Sequence, residues 1–241
     1  MGILTQNRGS PNAAGRIAAR ARDLWLTQDC LLCGQDNTGD ILCDACRETL
    51  PRLPAARCPC CALPAPDGER CGRCLTHSPH YDRTLAVFAY GFPVDKLVQD
   101  FKYVHRLALA RFFGRLLAEL AENTVADLII PLPLHRERLR DRGFNQALEL
   151  ARPVATARRL PLAAEACLRT RNTPAQAGLP WKERAKNIRG AFHCTHDLSG
   201  QRILLVDDVM TTGSSLDECA RTLKLHGATE VTLLIVARAL P

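Results

Sequence analysis

The feature that most constrains this chain is a repeated cysteine pattern. Cys30, Cys33, Cys43 and Cys46 read C-x2-C-x9-C-x2-C, and Cys58, Cys61, Cys71 and Cys74 repeat it, each 28 residues after its counterpart. Residues 27–78, which hold both sets, are broken by Pro51, Pro54, Pro59, Pro64, Pro66 and Gly68 and carry too few large apolar residues for a core of their own. A C-x2-C knuckle turns two sulfurs toward one ion, and a second knuckle closes a tetrahedral shell of the kind zinc prefers. Four sulfurs with no open position make a structural site, not a catalytic one. The pattern therefore predicts a double zinc ribbon with two Zn2+ ions. An iron–sulfur cluster would accept the same ligands. Spacing alone leaves open whether the knuckles pair within each set or across the sets. Cys60 forms the run C-P-C-C and could stand in for Cys58 or Cys61, but the register of the repeat argues against it. Cys167, Cys194 and Cys219 read as small apolar residues.

Over the 241 residues, 46% are apolar and 24% charged, the mix of a globular protein and not of a disordered chain. No apolar run approaches the roughly 20 residues of a membrane-spanning helix. Met1 to Asn12 lacks the apolar core of a secretory signal, so a cytoplasmic location is expected, where disulfides are disfavoured and cysteines favour metal. Three parts are expected: a flexible segment with a short helix at 14–26 (residues 1–26), the ribbon (27–78), and a larger domain (79–241). In the last, 84–90, 127–130, 203–206 and 230–237 read as strands, and 94–103, 107–121, 144–159 and 214–226 as helices. Pro153 is expected to kink or interrupt its helix. Strands alternating with helices predict an α/β domain around a mainly parallel sheet.

The most specific stretch is Ile203-Leu-Leu-Val-Asp-Asp-Val-Met-Thr-Thr-Gly-Ser-Ser215. An apolar strand is expected to end in Asp207 and Asp208. A loop of hydroxyl residues follows, and a helix begins near Ser214. That places Thr211, Thr212, Ser214 and Ser215 beside the free N–H groups of a helix N-terminus, a ready anion site, and Gly213 permits close approach of a phosphate. The two carboxylates are spaced to accept from vicinal hydroxyls. The Walker A pattern is absent.

The net charge of +7 is also local. Residues 131–192 hold 13 Arg/Lys and 5 Asp/Glu, a net of +8, so the rest of the chain sums to −1. Within them Arg136, Arg138, Arg140 and Arg142 alternate with other residues, then Gly143 opens a helix through Asn145 and Gln146. Arg169, Arg171, Gln176, Arg184 and Asn187 follow. Arginine forks suit multidentate phosphate binding. Composition does not separate a pyrophosphate clamp from a nucleic-acid groove, although only 5% aromatic residues weakens a base-stacking design.

The strand and the D-D-V-x-T-T-G-x-S run resemble the phosphoribosyl pyrophosphate (PRPP) signature of type I phosphoribosyltransferases. Together with P-L-H-R-x-R-L-R-x-R-G-F-N-Q-A, R-T-R-x-T-x-x-Q-x-G-L and E-R-x-x-N-I-R-G-A-F, in that order behind a cysteine ribbon, the chain resembles the ComF family (ComF, ComFC, GntX) over about residues 28–240. Asp95-Lys96-Leu97 and Phe101-Lys102-Tyr103 fit as well. The resemblance implies a type I phosphoribosyltransferase-like parallel sheet flanked by helices, behind a small double zinc ribbon. It implies that Asp207 and Asp208 contact the ribose hydroxyls directly or through Mg2+, and that Thr211 to Ser215 cradle the 5′-phosphate. The 131–146 segment would take the place of the pyrophosphate loop, 169–192 that of the flexible loop that closes over substrate, and Lys102 would stand near the same pocket. Plain helix charge for Lys102 and helix capping for Asn145 and Asn187 are the simpler alternatives.

The family is tied to DNA uptake in natural transformation, and one branch to gluconate or phosphorus-related metabolism and iron–sulfur maintenance. Three readings follow: a PRPP- and Mg2+-dependent transferase, a single-stranded-DNA module working beside a motor ATPase, and a scaffold that senses PRPP without turnover. Phosphoribosyl transfer asks the protein to hold phosphates and exclude water, not to supply a nucleophile. No motif names the acceptor.

Overall fold

The computed structural model describes residues 28–172 and 188–240; the expected helix at 14–26, and Gln176, Arg184 and Asn187, lie outside the described residues. The chain divides into two compact units at Thr49 and Leu50. In the first, β1 (Gln28–Asp29) and β2 (Asp36–Asn37) pair antiparallel, and α1 (Asp44–Glu48) starts at Cys43.

The second unit contains the second cysteine set and the sheet. Its elements are α2 (Gly72–Thr76), β3 (Arg83–Ala89), α3 (Val94–Tyr103), α4 (Ala108–Leu120), β4 (Leu128–Pro131), α5 (Arg136–Arg142), α6 (Gln146–Arg158), β5 (Cys167–Arg169), β6 (Phe192–Cys194), β7 (Arg202–Met210), α7 (Ser214–Leu225) and β8 (Glu230–Arg238). The strands β3, β8, β7 and β4 lie in that order, all parallel. The expected sheet is therefore present. Strands β7 and β8 are buried on both faces, which is why they read as continuous apolar runs. One face (Ile203, Leu205, Val231, Leu233, Ile235) packs with Leu216, Cys219, Ala220 and Leu223 of α7. The alternate residues Leu204, Val206, Leu234 and Val236 turn to the other face, where α4 and α6 lie.

Cys58, Cys60, Cys61 and Cys74 belong to the same buried cluster as the α7 face of the sheet. The chain from Pro51 to Pro59 also runs along the outer edge of β3, where Ala89 N–H donates to Pro51 O at 2.9 Å and Thr84 N–H to Pro59 O at 3.2 Å.

Four expectations are corrected. Strand β7 does not end at the acid pair but continues to Met210, because its backbone keeps pairing with β8 up to Arg238. Helix α6 runs through Pro153 without interruption. Its neighbour on α4 is Gly114, where an added Cβ would meet Pro153 Cγ at 2.1 Å, so a glycine makes room for the ring. The 136–142 arginines stand on a short helix, not on an extended loop. Gly143 ends that helix in the left-handed conformation (φ 77°), and α6 opens instead at Asn145. The hairpin of β5 and β6, in which Cys167 faces Cys194, was absent from the sequence reading; it frames the 169–192 segment.

Candidate functional site

Each cysteine set is gathered within itself: in each, the four sulfurs lie within 4.8 Å of one another. This settles the pairing within sets and leaves Cys60 out, its Sγ set toward Tyr81 O. The Cys33–Cys43 and Cys61–Cys71 sulfur separations are 3.7 and 3.6 Å. Four thiolates at ~2.3 Å from one tetrahedral ion stand about 3.8 Å apart, so both sets fit zinc. In each set the first cysteine is held below the usual thiol range. Burial opposes the Cys58 thiolate, but backbone N–H groups of Cys61, Cys71 and Cys60 outweigh it and bring the thiol down to about 7; Cys30 falls to about 6 for the same reasons. Hydrogen bonds to Cys33 and Cys43 push Cys46 up to about 12. Burial, with the Cys61 thiol close by, pushes Cys74 up too. Crowded thiols oppose one another's ionisation, and a dication relieves that opposition.

The second site lies at the carboxyl ends of the sheet strands, where open parallel sheets bind ligands. It is a cavity of about 520 Å³ lined by Lys102 of α3, Leu132 to Leu134 after β4, Arg138 and Arg142 of α5, Asn145 and Gln146, Arg169 of β5, and Asp207 to Leu216. Because β7 carries the acid pair inside the strand, the two carboxylates alternate. Asp208 is 6% exposed and pairs with Lys102 Nζ at 2.8 Å. Burial resists the charge on Lys102, but Asp208 and Asp207 outweigh it and lift the ammonium above its usual range. Asp207 opens on the cavity but is otherwise enclosed. That enclosure, with Asp208 beside it, pushes its carboxyl up to about 7 against the pull of Lys102 and Arg169. Burial and the nearby Arg138 bring Arg169 down to about 10.

The loop after β7 is shaped by Gly213, whose φ of +81° is left-handed and whose absent Cβ would sit 2.6 Å from Met210 Cε. Gly213 is also the N-cap of α7 and offers no capping side chain; the neighbouring Thr212 Oγ1 accepts from Ser214 N–H at 3.5 Å. Thr212 Oγ1 and Ser214 Oγ are 3.0 Å apart. The N-terminus of a twelve-residue helix, ringed by hydroxyls, thus lines the cavity with no N-cap side chain over it.

The helical turn of α5 sorts the arginines. Arg138 and Arg142, one turn apart, line the cavity, whereas Arg136 and Arg140 are exposed and outside it. Arg142 is fixed by Gln146 Oε1 at 2.8 Å and lies over the Tyr103 ring. Buried Gln146 leaves its amide nitrogen without a protein partner. Asn145 caps α6, accepting from Ala147 N–H at 3.0 Å and donating to Leu132 O at 3.2 Å. Arg171 is exposed and donates to Arg189 O at 2.8 Å, away from the cavity lining.

Three residues bearing on the loop were missed. Arg238 donates to Met210 O at 2.9 Å and to Thr211 O; Arg73 donates to Thr212 O at 2.8 Å; Tyr81 stands behind Gly213. Arg73 lies within the C-x2-C knuckle of Cys71, but nothing local in the sequence pairs it with a loop 139 residues away.

Cysteine tetrads ahead of a parallel sheet with a hydroxyl-rich anion loop define a zinc-ribbon protein with a phosphoribosyltransferase-type domain. Residues 21–75 match the double zinc ribbon domain and residues 148–240 the phosphoribosyl transferase domain. The chain is 34% identical to the DNA utilization protein YhgH of Escherichia coli strain K12, over 83% of this chain and 91% of that one. It is 33% identical to competence protein F of Haemophilus influenzae, over 71% and 79%, and 25% identical to competence protein ComFC of Bacillus subtilis, over 82% and 89%. The chain belongs to the ComF family. Among the described residues, no helix is long and apolar enough to cross a membrane.

Proposed function

We propose that this protein binds PRPP with Mg2+ in the cavity at the carboxyl edge of the sheet and transfers the phosphoribosyl group to an acceptor in the handling of imported DNA. The observation that carries the reading is the hydroxyl-ringed N-terminus of α7, entered through left-handed Gly213 and placed shortly after the Asp207–Asp208 pair. Thr211 to Ser215 hold the 5′-phosphate through amides and hydroxyls. Asp207 takes a ribose hydroxyl, and Lys102 fixes Asp208 for the other. Arg138, Arg142 and Arg169 face the pyrophosphate. Mg2+ bound with PRPP would be held by Asp207 and Asp208 and would supply charge neutralisation for the leaving pyrophosphate.

The test is calorimetry with PRPP and Mg2+, followed by release of pyrophosphate from isotope-labelled PRPP with candidate acceptors. Saturable binding that Asp208→Asn abolishes is expected. No heat at millimolar PRPP sinks the reading, and binding without release reduces it to a PRPP sensor.

A second activity is favoured by Arg136 and Arg140, which α5 turns away from the cavity. They form a basic surface suited to single-stranded DNA, and the name of the DNA utilization relative favours a DNA partner; presentation beside a motor ATPase belongs to the same reading. Such binding weakens steeply with salt. An oligonucleotide that fails to bind at low salt removes it.

A further inference from the structure

The two arginines missed by the sequence reading join the second cysteine site to the anion loop. Arg238, at the end of β8, is 1% exposed, and its guanidinium donates to four backbone carbonyls. Its Nε donates to Cys61 O at 2.8 Å, inside one knuckle of the second tetrad. Its NH1 donates to Met210 O at 2.9 Å, to Thr211 O, and to Ala239 O at 2.7 Å. Arg73, inside the other knuckle, donates to Thr212 O at 2.8 Å. Both knuckles therefore hold three consecutive carbonyls of the loop.

Two physical consequences follow. A trans peptide points its N–H opposite to its C=O, so holding the carbonyls of residues 210–212 turns the N–H groups of 211–213 away from the ribbon. These lead directly into the helix N-terminus that lines the cavity. The charges also complement one another. Four thiolates around one dication carry a net charge of minus two, which compensates a buried guanidinium held by carbonyl dipoles with the Cys61 thiol beside it.

We propose that the second cysteine site, acting through Arg238 and Arg73, is a positioning element for the anion loop, so that metal occupancy there sets the loop's order. The link to phosphate affinity rests on the reading of that loop as the PRPP site, whereas the link to loop order does not.

The experiment measures hydrogen exchange of the peptide spanning 208–216 and PRPP affinity on the full chain, with zinc content determined for each variant. Arg238→Lys keeps the charge but loses the fork, and Arg73→Ala changes an exposed residue; both should retain two zinc ions. Each should speed exchange of 208–216 at least about tenfold and weaken PRPP to a similar degree. Cys71→Ser should retain one zinc and show the same loosening. Cys43→Ser, also with one zinc, should leave the exchange of 208–216 at its wild-type rate. If Cys71→Ser does not fold, the two arginine variants decide. Wild-type exchange in both arginine variants, or equal loosening in Cys43→Ser, overturns the proposal. If wild-type protein binds no PRPP, the functional reading fails while the exchange data still judge the positioning role.

Discussion

The two cysteine sets share one spacing but occupy different surroundings. In the first, only Cys30 is buried, and its recorded contacts are local: Cys33 to Gln35 and Cys43, and Cys43 N–H to Cys30 Sγ. In the second, Cys58, Cys61 and Cys74 are buried in the cluster that also packs β7, β8 and α7. Ligand spacing thus specifies the metal geometry, while the neighbouring residues decide what the metal site supports. Among the described residues of its unit, the first site is held by short-range contacts around one buried leucine, Leu42. The second is one layer of a sheet domain's core.

The comparison breaks most visibly in thermal unfolding. A structural zinc contributes on the order of 10 kcal/mol to the fold it closes. Cys71→Ser should therefore lower the main calorimetric transition by about 20 °C or more, or abolish it, while Cys43→Ser leaves that transition within a few degrees. Equal losses would show that the two sets play the same part.

Next in size is Lys102→Met, which leaves Asp208 buried without its cation. Removing one partner of such a pair costs about 3–5 kcal/mol, so the same main transition should fall by about 10 °C. A shift in a separate, minor transition would divorce the pocket from the unit of the second tetrad.

The pH dependence of that transition sharpens the point further. Asp207 is held up to about 7 in the fold, well above its usual 3.8. A carboxyl raised by folding binds its proton more tightly in the native state, so its contribution weakens as pH rises from about 4 through 7. Asp207→Asn should accordingly stabilise the main transition at pH 8 and change it little at pH 4. A stabilisation that does not vary with pH would locate the effect elsewhere.

Smallest in stability is the double change Arg136→Ala with Arg140→Ala. Exposed changes of this kind usually alter stability by less than about 0.5 kcal/mol each. The double variant should keep PRPP affinity and lower the salt slope of single-stranded DNA binding by about 1.4. Arg138→Ala should do the reverse, weakening PRPP about tenfold or more.

What could be read from the sequence was whatever is encoded by local spacing. The tetrads need only C-x2-C knuckles, and the anion loop needs a strand, a glycine and a run of hydroxyls, all within fifteen residues. The parallel strands were legible because burial on both faces demands continuous apolar runs. The fate of the arginines was not. Alternating Arg136, Arg138, Arg140 and Arg142 carry no helical signature, and only the α5 turn separates inward from outward members. Arg238 was invisible for a different reason: a charged residue ending an apolar strand reads as a surface terminus, yet here three distant carbonyls converge on it. The end of β7 was misplaced because two aspartates break an apolar run without breaking backbone pairing.

The contact between Gly114 and Pro153 has an evolutionary consequence. Neither residue is replaceable alone on equal terms: a methyl at 114 collides with the proline ring, while alanine at 153 regains a helical hydrogen bond but leaves the space beside Gly114 unfilled. Gly114→Ala should therefore destabilise the natural chain and cost clearly less once Pro153→Ala is present, with the residue 153 Cβ at 3.0 Å and Leu150 O at 3.2 Å still crowding the methyl, a coupling measurable by denaturation of the four combinations. Related chains should then exchange these two positions together, so that each residue is the historical condition of the other.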